Sequence, residues 1–298
     1  MSQLCDGRVA IVTGGGRGIG RSEALSLAAA GAFVVVNDLG GDRDGTGMSN
    51  EPAHEVVEEI RAAGGEAVAN ADDVSDWEGA ERLVTLALTT FGRLDVLVNN
   101  AGVLRDRMLV NMAPEDWDQV IRVHLRGTFC PTRHAAEYWR NQSKAGTPVD
   151  ARVINTSSSS GIYGNVGQTN YGTAKAGIAA FTIIASQELG RYGVTVNAVA
   201  PAAATRLTQD LDPSGQLPPE RQDGFDPRWP AAVVTWLASA ESAGVTGRVI
   251  ESSGLRLTVA EGWTRGPAGE PSDDPAKVGA VLTDLVAQSP APAGMLGV

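Results

Sequence analysis

Short runs of apolar, mostly β-branched residues punctuate the chain at Val9–Thr13, Phe33–Val36, Ala67–Ala69, Leu94–Val98, Val153–Ile154 and Val194–Val199. The stretches between them, Arg21–Ala30, Glu55–Ala62, Trp77–Phe91 and Trp117–Tyr138, carry apolar residues at helical spacing. Strands that are apolar throughout are buried on both faces, and their alternation with helices predicts right-handed βαβ crossovers. The first 200 residues therefore predict an α/β fold built on a doubly wound parallel sheet. Beyond them the texture changes. Residues Thr205–Pro230 are rich in Gln, Asp, Pro and Gly with little periodicity, longer than an ordinary connection and so expected to be a functional loop. A last strand is expected near Arg248–Ser252. After it come a Gly/Pro/acid-rich stretch at Gly262–Pro275 and an amphipathic segment at Ala276–Ala287. The expected organisation is one domain over residues 1–260 and a C-terminal extension over 261–298, either docked or disordered.

Composition narrows the function. Hydrophobic residues make up 43% and charged residues 20% of 298, enough for a large core. The longest apolar run, Ala176–Ala185, is half of what a bilayer crossing needs, and the N-terminus lacks a charged region followed by an apolar one. Neither a membrane span nor a signal peptide is expected. Two isolated cysteines, Cys5 and Cys130, offer no disulfide framework and no metal cluster, which fits a reducing cytoplasm. A net charge of −11 is the wrong sign for a nucleic-acid partner.

The first strand runs into Gly14-Gly15-Gly16-Arg17-Gly18-Ile19-Gly20 and then a helix. Glycines at 14, 18 and 20 allow a tight turn and a close approach of backbone N–H groups to a pyrophosphate. A glycine turn alone is a weak signal, but here the next strand ends in Asp38, 18 residues after Gly20, where an acid can bind the ribose hydroxyls of NAD. That is the pattern of a Rossmann fold. A 2′-phosphate would meet Asp38 at a cost of roughly 4 kcal/mol per charge pair at about 4 Å, so NAD is favoured over NADP, with Arg17 and Arg43 as the features that speak for NADP. Asp73-Val74 and Asn99-Asn100-Ala101-Gly102 follow the third and fourth strands, at the sheet edge where ligands bind. Asp72 and Asp73 read equally well as helix N-caps.

Tyr171 and Lys175 stand one helical turn apart, and Ser158 lies 13 residues before the tyrosine, just past a strand. A phenol titrates near 10 and is a poor base at neutral pH; a neighbouring ammonium favours the phenolate. The serine hydroxyl can orient a substrate oxygen. Only three lysines occur, Lys144, Lys175 and Lys277, which makes one at this spacing noteworthy.

The set Thr13-Gly14-xxx-Gly18-x-Gly20, Asn99–Gly102, Ser158 and Tyr171-xxx-Lys175 resembles the short-chain dehydrogenase/reductase family over residues 6 to 255. Within it, Val35–Asp42, Leu104–Arg107, Val123–Gly127 and Ser160–Asn165 are similar to the (3R)-hydroxyacyl-CoA dehydrogenase domains of type 2 peroxisomal multifunctional enzymes, which also act on 17β-hydroxysteroids. The resemblance implies NAD as cofactor, a fatty acyl-CoA or steroid alcohol as small-molecule substrate, and a homodimer or homotetramer. It implies catalytic roles for Ser158, Tyr171 and Lys175. It implies cofactor contacts from Gly14, Arg17, Gly18, Ile19, Gly20 and Asp38, and from Asp73, Val74, Asn100, Ala101 and Gly102. Tyr171, Lys175, Pro201 and Thr205 would complete them. His124 stands where most of the family has asparagine, so it is either a member of the proton relay or a core histidine. Pro201-Ala202 replaces the usual Pro-Gly, and the closing Gly-Gly after the last strand is absent.

The expected reaction is oxidation of a secondary alcohol to a ketone, with Thr205–Pro230 as substrate lid. Arg105, Arg107, Arg122, Arg126 and Arg133 are candidates to meet CoA phosphates. Leu104, Met108, Leu109, Ile162, Leu207 and Leu211 are candidates to line a steroid cleft. An NADPH-dependent ketoacyl reductase and a catalytically silent dinucleotide sensor are the alternatives. No hydratase or sterol-carrier segment follows, so a stand-alone dehydrogenase is expected.

Overall fold

A computed structural model describes residues 3–42, 44–47, 49–204 and 222–294. The strands are β1 (Val9–Thr13), β2 (Phe33–Asn37), β3 (Ala67–Asn70), β4 (Val96–Asn99), β5 (Ala151–Thr156), β6 (Val194–Pro201), β7 (Val249–Ser252) and β8 (Leu257–Ala260). They form one sheet in the order β3-β2-β1-β4-β5-β6-β7-β8, parallel except for β8, which runs antiparallel to β7. The helices are α1 (Gly18–Ala29), α2 (Glu51–Ala62), α3 (Trp77–Phe91), α4 (Pro114–Ile121), α5 (Gly127–Lys144), α6 (Ser159–Tyr163), α7 (Thr169–Leu189), α8 (Arg228–Ala238) and α9 (Pro275–Gln288).

Strand residues alternate between two cores. Ala10, Val12, Val34 and Val36 face α1, α2 and α8, whereas Val9, Ile11, Val35 and Leu97 face α3, α5 and α7. This two-sided burial is why the strands read as unbroken apolar runs rather than alternating ones. The strand order reverses between β1 and β4, and the carboxyl ends of these strands open a crevice there.

Several features differ from the sequence expectation. The helix expected over Trp117–Tyr138 is two helices joined by a π-helical turn at Arg122–Arg126, in which the Gly127 amide donates to the Arg122 carbonyl five residues back. One extra residue in the turn leaves the apolar spacing nearly intact, so the pattern hides it. Helix α3 is capped by Asp76, which accepts from the Gly79 amide. Asp72 and Asp73 therefore do not cap it. Strand β8 is an addition; its exposed Leu257 and Val259 carry no two-sided apolar signature. Helix α8 already begins at Arg228, inside the expected lid, and residues 205–221 of that lid lie outside the described residues. The amphipathic segment is α9, none of whose residues is buried. Among the described residues no helix is long and apolar enough to cross a membrane.

Candidate active site

The crevice at the strand-order reversal is a cleft of about 610 Å³. Its nucleotide side is held together by backbone. Gly14 and Gly18 have φ of 62° and 54°, and a Cβ on Gly14 would stand 2.8 Å from Ala101 Cα. Helix α1 starts at Gly18, so the first-turn amides of Gly18 and Ile19 face the cleft without intrahelical acceptors. The Thr13 hydroxyl accepts from the amides of Asn100 (3.0 Å) and Ala101 (3.1 Å), and Asn100 Nδ2 donates to the carbonyls of Thr13 and Gly14. The loop after β4 thus pins the glycine turn. Asp38 Oδ2 accepts from the Gly16 amide at 2.9 Å and Oδ1 from the Gly40 amide at 2.7 Å, which fixes the carboxylate at the rim.

On the other side, Tyr171 of α7 and Ser158, just past β5, both line the cleft. Lys175 is 3% exposed; its Nζ lies 5.6 Å from the Tyr171 ring centroid and donates to the Thr156 carbonyl at 2.6 Å. The Ser157 hydroxyl, donating to the Lys175 carbonyl, ties α7 to the end of β5. Burial pushes the Tyr171 phenol up to about 12, opposed by the Ser158 hydrogen bond and reinforced by the Asp106 charge. Burial pushes Lys175 down to about 7, and Glu23 offsets part of that fall. In the protein alone, desolvation thus moves the phenol in the direction opposite to the lowering expected from its lysine neighbour.

His124 sits in the π turn, 1% exposed, edge-on to Tyr171 at 5.2 Å between ring centroids. Its Nε2 pairs with the backbone of Val103, and its Nδ1 has no partner. Burial and the Lys175 charge push it down to about 3, so the ring is neutral near pH 7. A Cβ on Gly102 would stand 2.5 Å from His124 Cε1, so glycine there admits the imidazole. The ring is both a core histidine by its packing and a cleft-lining one by its place.

Of the expected site residues, all but two line this one cleft. Gly20 is not among the cleft-lining residues; it lies beneath the turn, where a Cβ would be 2.2 Å from the Gly14 carbonyl, so glycine there lets the loop pack. Thr205 lies outside the described residues, as do Arg43, Leu207 and Leu211. Asp73 lines the cleft but is bridged to Arg122 at 2.6 Å. Arg17 lines the cleft and donates to the Gly41 carbonyl. Four of the five arginines considered for CoA are engaged within the protein: Arg105 with Asp44 and Asp116, Arg122 with Asp73, Arg126 with the Ser75 carbonyl, and Arg133 with Glu137. Arg107 is exposed and donates to the Asp106 carbonyl. Of the apolar candidates Leu104 lines the cleft, Met108 and Leu109 point to solvent, and Ile162 packs against Ala198 and Ala200. Sequence reasoning missed Gln168, Ala203 and Phe225, which also line it; none belongs to a motif or a periodic face.

A family model for short chain dehydrogenases matches residues 8–214. The chain belongs to this family. It is 45% identical to "Hydroxyacyl-CoA dehydrogenase ChsB1" of Mycobacterium tuberculosis over 293 residues, covering 94% of this chain and 89% of that protein. It is 45% identical over 258 residues to the "Peroxisomal multifunctional enzyme type 2" of Mus musculus, covering 87% of this chain and 32% of that enzyme. The similarity to the dehydrogenase domain of these multifunctional enzymes is thus established, and the chain spans about a third of their mouse representative. A solved short chain dehydrogenase from Mycobacterium avium is 51% identical, with a TM-score of 0.87 over 98% of both chains. A protein of this family and fold is an oxidoreductase that binds a nicotinamide dinucleotide. The residues here fit one: a glycine turn that leaves helix amides open, a fixed carboxylate for ribose hydroxyls, and a lysine–tyrosine pair across the cleft.

Proposed function

We propose that the protein is an NAD-dependent dehydrogenase of a secondary alcohol, with (3R)-hydroxyacyl-CoA thioesters as the favoured substrate class and 17β-hydroxysteroids as the second. The observation that carries this reading is that Ser158, Tyr171 and the buried Lys175 line a single cleft together with the glycine turn, with Lys175 Nζ 5.6 Å from the Tyr171 ring. A bound nicotinamide supplies the hydride acceptor. Ser158 donates a hydrogen bond to the substrate oxygen. Tyr171 takes the hydroxyl proton while the carbinol hydrogen leaves as hydride. Lys175, as an ammonium, lowers the cost of the phenolate. The apolar walls from Leu104, the Ala202–Ala204 segment and Phe225 exclude water from that transfer.

Asp38 supports NAD. Both its oxygens accept backbone amides and the residue lines the cleft, so a 2′-phosphate meets a fixed negative charge. Arg17 at the same rim supports the second reading, an NADPH-linked ketoacyl reductase. The ratio of kcat/KM for NAD over NADP separates them: a ratio above ten supports the first, and Asp38→Ser should collapse it. A preference for NADP in the wild type overturns the NAD reading. Thioesters and steroids are separated by following NADH absorbance with each in turn. Arg107→Ala should raise KM for the thioester alone, since Arg107 is exposed beside the cleft wall. We also take the enzyme to be a homodimer or homotetramer, supported by exposed Phe129 on α5 and Ile183 and Ile184 on α7; sedimentation velocity checks it.

A further inference from the structure

Thirteen residues separate β2 from α2, where about two to six are usual for such a connection. They fold back on themselves. Asp38, just past β2, accepts from the Gly40 amide. The Ser49 amide donates to the Leu39 carbonyl at 3.0 Å. Nearer the tip, the Asp42 amide donates to the Thr46 carbonyl at 2.6 Å and the Gly45 amide to the Asp42 carbonyl at 2.9 Å. Residues 39–42, 44–47 and 49 thus make a narrow arm of two limbs. Gly40, with φ of 73°, is where the limbs touch: a Cβ there would stand 1.7 Å from the Ser49 carbonyl oxygen.

The tip of this arm crosses to the wall that follows β4. Arg105 Nε donates to the Asp44 carbonyl at 2.8 Å, and a Cβ on Gly45 would stand 2.8 Å from Gln119 Nε2 and 3.2 Å from Val103 Cγ1. The Asp44 carboxylate is turned back on the arm, its Oδ1 accepting from the Thr46 amide at 3.0 Å and the Thr46 hydroxyl at 2.7 Å. The tip therefore meets Arg105 through its backbone. Asp116, 3.6 Å from Arg105 Nη1, holds the guanidinium on its wall. Near the root, Arg17 of the glycine turn donates to the Gly41 carbonyl at 3.2 Å. Leu39, Gly41, Asp42 and Gly45 of the arm line the cleft, as do Val103 and Gln119 beside its tip; Arg105 does not.

We propose that Arg105 is a positioning residue for the bound dinucleotide: it clasps the tip of the arm to the far wall and so slows the dinucleotide's departure. The arm is continuous with Asp38, the group placed to hold the ribose, and it walls the cleft from there to Val103. A dinucleotide held at Asp38 has the arm as one side of its site. The clasp is one hydrogen bond from a charged donor to a carbonyl, strong enough to stay made most of the time and weak enough to open thermally. The inference rests on the dinucleotide site of the family, and neither on the choice between NAD and NADP nor on the alcohol oxidised.

The test follows release by stopped-flow fluorescence, with no alcohol present. NADH or NADPH, whichever the wild type binds more tightly, is displaced by an excess of its oxidised form. In Arg105→Ala the dissociation rate constant should rise on the order of tenfold, as expected for one lost hydrogen bond to a charged group, with association no slower and Arg105→Lys in between. An unchanged dissociation rate overturns the proposal, and so does slower association, which would mean a damaged site. A second variant places the effect in the arm. Deleting residues 42–46 removes the tip and should make release at least as fast as in Arg105→Ala, and adding Arg105→Ala to the deletion should change nothing more. A further rise in the double variant would put the arginine's effect elsewhere and overturn the clasp. Should Arg105→Ala fail to fold, the deletion decides alone, and release as slow as in wild type overturns the proposal. In protein without dinucleotide, heteronuclear 15N NOE values of the Gly41 and Gly45 amides should match those of the sheet in wild type and fall below them in Arg105→Ala; equal values in the two proteins overturn it.

Discussion

The two sides of the cleft are built on opposite principles. On the nucleotide side, Thr13, Asn100 and Asp38 are all hydrogen-bonded to backbone, and their donors and acceptors hold the glycine turn in one shape. On the catalytic side, buried polar atoms go without partners. Asp106 Oδ1 and His124 Nδ1 are two of them, on residues that interact electrostatically with Tyr171 or Lys175. Presenting amides to a ligand needs only a preformed backbone, which costs little once the turn is satisfied. Shifting the proton affinity of a phenol and an amine needs desolvation, and desolvation destabilises the fold. The first side is stable because of its function, the second in spite of it.

Substitutions can break this contrast, and the largest effect belongs to the catalytic side. Tyr171→Phe should lower kcat by about a thousandfold, within the range of lost general acid–base catalysis, while the dinucleotide Kd from fluorescence titration stays within about threefold. A Tyr171→Phe enzyme retaining about a tenth of its turnover would remove the tyrosine from the chemistry. Next comes the nucleotide side. In Gly20→Ala the new methyl would stand 2.2 Å from the Gly14 carbonyl, so the turn must shift, with a loss of about 2–3 kcal/mol in urea unfolding and weaker dinucleotide binding.

A smaller effect follows acidification. The folded-state pKa of His124 is about 3, below its ordinary 6.5. Between these values the unfolded chain binds the extra proton, so stability rises with pH and is lost as pH falls from about 6.5 toward 3, at up to about 1.4 kcal/mol per pH unit. His124→Asn should remove that slope, measured as the difference in unfolding free energy between pH 7 and pH 5. Smallest of all, Arg133→Ala breaks an exposed i,i+4 pair with Glu137. It should change stability by less than about 0.5 kcal/mol and leave KM for any thioester where it was.

The glycine turn and the Ser158–Tyr171–Lys175 set were readable because each is local: residues within one turn or helix, at spacings that follow from backbone geometry. The arginines were not. Arg105, Arg122, Arg126 and Arg133 look free in one dimension, and their partners Asp44, Asp73 and the Ser75 carbonyl come from other loops, with only Glu137 close in sequence. Gly20 illustrates the limit in another way. The motif marks it, but whether such a glycine faces a ligand or props up the turn depends on the Asn100 side chain, which reaches the Gly14 carbonyl from 86 residues along the chain.

Hydrophobic periodicity by itself determined the layered α/β architecture, because two-sided burial imposes unbroken apolar strands and one-sided burial imposes helical spacing. Tertiary structure decided the π turn that carries His124, the antiparallel edge strand β8, and above all the burial of Glu23, Tyr171 and Lys175. Proton affinity depends on how much water and which charges surround a group, and that environment is assembled from α1, β5, the π turn and α7, segments that are distant in the chain until the fold closes.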